Sequence, residues 1–149
     1  MMSLKERLAD DLKSAMKNKN VVRKNVVQMV RAAILQVEKD NKITLDDDGV
    51  LDVIAKQMKQ RRDALPDYEK SGRDELIAEL KAEMDVLKEY LPEQLTKDEL
   101  YAIVKEAVEA TGASSMKDMG KIMATVIPKT KGRADGKMIN EIAKELLSL

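Results

Sequence analysis

The chain has 149 residues, 44% of them hydrophobic, with 27 basic and 27 acidic side chains, which suits one domain or two small ones and leaves no net charge to draw it to nucleic acid except through local patches. It contains no His, Cys, Phe or Trp, and its aromatics are Tyr68, Tyr90 and Tyr101. Those absences remove the His base, the thiolate nucleophile, disulfides, Cys/His zinc sites and base-stacking modules built on clustered aromatics.

The remaining residues favour helix: Ala, Leu, Lys, Glu and Met are common and there are three prolines. Ser3 with Glu6 three residues on reads as a capping box, and Leu4, Leu8, Leu12 and Met16 behind it make a stripe at helical spacing, predicting a helix over about 3–18. After the break at Asn18-Lys19-Asn20, a second helix carries Val22, Val26, Met29, Val30, Ala33, Ile34 and Val37, fading at Lys39 to Lys42. Thr44 and the acids Asp46, Asp47 and Asp48 open a third, since acids in a first turn complement the helix dipole. Its apolar residues are Leu51, Ile54, Ala55, Met58 and Leu65; Pro66 is expected to kink or end it, with Ser71-Gly72 as the last stop. Asp74 opens a fourth, with Leu76, Ile77, Leu80, Met84, Leu87 and Leu91, closed by Pro92.

Leu91 to Leu95 is the expected boundary, giving an N-terminal helical domain at 1–93 and a C-terminal one at 94–149. Thr96 and Glu99 form a second capping box. The helix behind it bears Leu100, Ile103, Val104, Ala107 and Val108 and stops at Thr111-Gly112. Ser115 is expected to cap the next, with Met116, Met119, Ile122, Met123 and Val126 inward, a close crossing at Gly120, and Pro128 as its end. A loop from Lys129 to Ala134 leads to Asp135, the expected cap of a last helix with Met138, Ile139, Ile142, Leu146 and Leu147. The fold class is therefore all-α: about four longer helices in an N-terminal bundle, then a small three-helix domain.

Nothing marks a catalytic group, a metal site or a cofactor. Met1 to Arg7 lacks an apolar leader core, and no apolar run approaches the roughly 20 residues of a membrane span. With no cysteine, these features give a cytoplasmic, non-membrane expectation.

Charge is unevenly placed. Lys13, Lys17, Lys19, Arg23, Lys24 and Arg31 run without an intervening acid. A second group, Lys117, Lys121, Lys129, Lys131, Arg133 and Lys137, surrounds only Asp118 and Asp135. Clustered cations attract phosphate and release counterions, so both are candidate RNA contacts; a solvated helix face is the plainer alternative. The stretch Lys129 to Lys137 is a glycine-containing basic loop feeding a helix N-terminus, which favours phosphate, although its spacing is not that of a nucleotide-binding loop. Arg61 and Arg62 offer guanidinium forks for phosphate or, equally, for interhelix carboxylates.

Met119-Gly120-Lys121-Ile122-Met123, Lys131 to Lys137 and Ile139-Asn140-Glu141-Ile142 together resemble the tail domain of the GatB subunit of the tRNA-dependent amidotransferase. Lys56 to Asp63, Tyr68 to Arg73 and Glu89-Tyr90-Leu91-Pro92 look like the free-standing YqeY family, which shares that tail. Pro66 departs from the uninterrupted helix the resemblance leads one to expect. The resemblance implies a two-part helical protein whose tail holds tRNA. It also brings the family association with carbon–nitrogen ligase chemistry using glutamine as amido donor, whose catalytic domain this chain does not resemble. Three readings follow: a non-catalytic adaptor for tRNA or a tRNA-handling complex, a protein–protein module, or part of the amidation activity. For the first, the candidate contacts are Lys121, Lys129, Lys131, Arg133 and Lys137, with Arg61 and Arg62.

Overall fold

The computed structural model describes residues 2–148, and among these the regular structure is helical. The helices are α1 (Leu4–Lys17), α2 (Val21–Asn41), α3 (Asp47–Ser71), α4 (Asp74–Lys88), α5 (Lys97–Thr111), α6 (Met119–Thr130) and α7 (Gly136–Leu147), with a single 3-10 turn at Met116–Asp118. They fall into two compact units, Met1–Leu91 and Pro92–Leu149. None is long and apolar enough to cross a membrane among the described residues.

Local chemistry explains most of the ends. Ser3 and Thr96 each form the reciprocal capping box with Glu6 and Glu99, satisfying two backbone donors that a helix start otherwise leaves open. Asp46 accepts from the Gly49 N–H at 2.9 Å to cap α3. Gly72 and Gly112 end α3 and α5 in the left-handed region, at φ 68° and 67°.

The first unit packs α1 to α4 around Leu8, Val26, Val27, Val30, Ile34, Val50, Ile54, Met58 and Leu87. Each fully buried aliphatic there contributes about 1.5–3 kcal/mol. The polar ties lie at its periphery. Tyr90 is buried, its hydroxyl donates to Asp11, and the Arg7 guanidinium lies 4.6 Å from its ring centroid. Arg23 makes a two-pronged pair with Glu89, at 2.5 and 2.9 Å, which holds the Glu89 carboxyl below its usual range. Glu38 accepts from Lys5 and from the Leu45 N–H.

The second unit has its own core of Leu100, Val104, Ala107, Ile122, Val126, Ile139, Ile142 and Ala143.

Several expectations are corrected. Of the two outcomes expected at Pro66, the structure removes the end: the helix runs on to Ser71 and stops at the expected Ser71-Gly72. Proline removes one hydrogen bond, to the Arg62 carbonyl, but Pro66 sits on the exposed side, and packing of α3 on α4 carries the helix past it. Pro128 likewise lies inside α6, whose last turn is fastened by buried Thr130 donating to the Val126 carbonyl at 3.0 Å. Ser115 precedes the 3-10 turn without a side-chain bond, and α6 starts at Met119. Met16, Met29, Met116 and Met138, expected inward, are exposed, while Ala15, Val27, Val50 and Val53 take core positions. No close crossing explains Gly120, because a Cβ there would meet nothing within 4 Å.

Candidate nucleic-acid interface

The basic loop of the second unit is held by backbone and side-chain bonds to the segment before α5. The Leu95 N–H donates to the Arg133 carbonyl at 2.9 Å, Gln94 Nε2 to the Gly132 carbonyl at 2.7 Å, and Arg133 Nε to the Glu93 carbonyl at 3.1 Å. Gly132 takes φ 73°, a left-handed conformation that glycine adopts without a Cβ clash. Arg133 and Ala134 N–H both donate to the Thr130 carbonyl, so the chain doubles back between α6 and α7. The loop is thus a folded element with fixed ends.

The lysines project from it. Lys129 stands in the last turn of α6, Lys131 at its C-cap and Lys137 in the first turn of α7, all exposed. Lys121 is eight residues before Lys129, about 12 Å along the helix and about 80° around it. Lys121 lies 3.9 Å from Asp118, whose carboxyl is held below its ordinary value by the Ser114 N–H above all, with Lys121 a lesser contributor.

Two candidate roles change on this geometry. Arg133 is half-buried and one of its guanidinium nitrogens is spent on Glu93, so it shapes the loop as well as charging it. The N-terminus of α7 already holds an anion, because Asp135 accepts from the Lys137 N–H at 3.2 Å. Phosphate there would meet that carboxylate, so the lysines and not the helix end carry the positive field.

The first unit places Arg61 and Arg62 differently. Arg61 is 7% exposed, with Nη1 donating to the Gln57 carbonyl at 3.0 Å and to Gln57 Oε1 at 2.9 Å, and Nη2 to Glu83 at 3.4 Å. It ties α3 to α4 and, through Met29 Sδ at 3.6 Å, to α2, so its two terminal nitrogens are taken up inside the protein. Arg62 is half-buried in the same helix. The clasp residues Gln94 and Leu95 were not legible as partners of Gly132 and Arg133, since nothing local signals a pairing across 38 residues.

The protein defined by these features is a two-unit helical protein with a lysine-rich loop closing its second unit. It belongs to the YqeY family, matching the Yqey-like protein description over residues 5–147. Among curated proteins it is 29% identical, over 95% of this chain and 79% of the other, to "Altered inheritance of mitochondria protein 41, mitochondrial" of Pyrenophora tritici-repentis. The proteins of the same name from Saccharomyces cerevisiae (strain YJM789) and Candida glabrata are 31% and 32% identical, over 62% and 58% of this chain. The matched parts span 51% and 48% of those two yeast proteins. The relatives' names correct the cytoplasmic expectation. An apolar core marks a secretory leader, whereas mitochondrial transit segments are amphipathic, so its absence at Met1 to Arg7 decides nothing about mitochondria.

Proposed function

We propose that this YqeY-family protein is a non-catalytic adaptor that binds tRNA, or a tRNA-bearing complex, through the lysines around the α6–α7 loop. The observation that supports the reading is the loop itself: a fastened turn presenting exposed Lys129, Lys131 and Lys137 where the sequence resembles a tRNA-holding tail. Lys121 extends the charge along α6. Lysines on a surface without an aromatic platform favour phosphate over base edges, so the binding is shape- and charge-driven and weakly sequence-selective.

Fluorescence anisotropy of labelled tRNA at several salt concentrations tests this. Lys129→Gln/Lys137→Gln is the appropriate variant, since it leaves the Arg133 clasp intact. The expected result is weaker binding and a shallower slope of log affinity against log salt, by about 0.7–0.9 per lysine removed. An unchanged slope removes the loop from the interface. A stoichiometric protein partner that survives nuclease treatment, with no tRNA affinity, would favour the protein–protein module instead.

A further inference from the structure

The α1–α2 hairpin tip has a second cationic surface of different character. Lys13, Lys17 and Lys19 are exposed and Lys24 is half-buried, in a stretch that holds no acid from Lys13 to Arg31. The arginine nearest the tip, Arg23, is already paired to Glu89, so the charge the tip offers is lysine charge. Lys19 adopts φ 56°, turning the chain sharply between the two helices. Two apolar side chains stand out of the same surface: Met16 is 57% exposed and Val21 62%. Both line one shallow depression of about 400 Å³ with Ala15, Lys19, Asn20 and Lys24, and none of these is acidic.

We propose that this hairpin tip docks on an anionic lipid surface. Protruding aliphatic and thioether side chains gain nothing from a phosphate backbone, and the tip has no aromatic ring to stack on a base. They gain by entering the acyl boundary of a bilayer, while flexible lysine ammonium groups sit among the headgroups. Lysines without a usable arginine fork suit a diffuse leaflet charge better than bidentate phosphate recognition.

The test is flotation of the full chain with phosphatidylcholine vesicles, pure or with one part in three phosphatidylglycerol, at about 0.1 M salt. Binding is expected to the anionic vesicles alone. Lys17→Gln/Lys19→Gln is expected to lower partitioning by ~5-fold per lysine. Met16→Ser/Val21→Ser, which leaves charge unchanged, is expected to lower it by roughly tenfold. The protein contains no Trp, so Met16→Trp supplies a clean reporter: its emission should shift to the blue with anionic vesicles and stay put with neutral ones. Partitioning indifferent to Met16→Ser/Val21→Ser, or an unshifted reporter, overturns the proposal. So does loss of tRNA affinity in Lys17→Gln/Lys19→Gln with vesicle binding intact, which would make the tip a nucleic-acid surface.

Discussion

Replacing Arg61 separates a structural cation from a binding one. Arg61→Met keeps a long apolar stem and deletes the guanidinium. It forfeits two bonds to Gln57 and a long one to Glu83, each worth about 1 kcal/mol net, and a weaker one to Met29 Sδ at 3.6 Å. It also relieves Arg61 Nε, a buried donor with no partner, whose desolvation costs about 1–3 kcal/mol. The gain offsets most of the loss, so Arg61→Met should cost no more than about 2 kcal/mol. Arg61→Ala also removes the stem and opens a cavity, for a loss of about 2–4 kcal/mol. Glu83→Ala strips one partner from a side chain only 8% exposed, but Glu83 is itself 23% exposed, which screens the pair; about 1–2 kcal/mol is expected. Urea unfolding followed by circular dichroism gives the order, and hydrogen exchange in α3 and α4 places the loss in the first unit. Arg61→Met as costly as Arg61→Ala would refute the reasoning, and a drop in tRNA affinity in a stable Arg61→Met would return Arg61 to the surface.

Other substitutions follow from the same structure. Gly120→Ala should stabilise by about 0.5–1 kcal/mol, because its methyl enters open space early in α6. The same change at Gly49 should destabilise by a similar amount: its Cβ would lie 2.7 Å from Leu45 Cδ2 and 3.2 Å from Leu45 Cβ, displacing a side chain that packs on the core; thermal melts of the pair test the opposite signs. Tyr90→Phe keeps the ring under Arg7 and loses the bond to Asp11, costing about 1 kcal/mol by urea titration, against about 3–5 for Tyr90→Ala. Glu38 is held below its ordinary 4.5 by the hydrogen bond from Lys5 first and the Leu45 N–H second. A depressed carboxyl contributes stability above its unfolded value and loses it as pH falls through the folded one. Glu38→Gln should therefore be less stable than the parent at neutral pH, and the two stability curves should converge as pH falls below 4.5 and through the depressed folded value; parallel curves would deny the Lys5 pair any role.

What was readable in the sequence was local chemistry. The boxes at Ser3 and Thr96 and the stops at Gly72 and Gly112 depend on residues three or four apart, and they stand where they were expected. Which face of a helix is inward depends on its neighbours, so spacing alone does not single out Val27 and Val50 and turns Met16 and Met29 inward, where the structure leaves them exposed. Proline rules describe an isolated helix; packing on α4 carries α3 past Pro66, and the Thr130 hydroxyl fastens the turn beyond Pro128. The candidate cations were visible as residue types. Their commitments were not: a guanidinium buried between α3 and α4 and one bonded to Glu93 look the same in sequence as one in solvent.

The bonds from Glu93, Gln94 and Leu95 to the 132–133 turn decide where the chain can be cut. A fragment opening at Thr96 would carry α5, α6 and α7 complete, with its capping box intact, and still lack the strip that pins the lysine loop. Its helices would form while the loop drifted, and a binding experiment on it would report weak affinity for a reason unrelated to charge. Cutting ahead of Pro92 keeps the strip. The same reasoning makes the bond between Leu95 and Thr96 a poor place for a protease to enter, although it lies outside the helices, because its backbone is engaged on one side by Arg133 and on the other by Glu99.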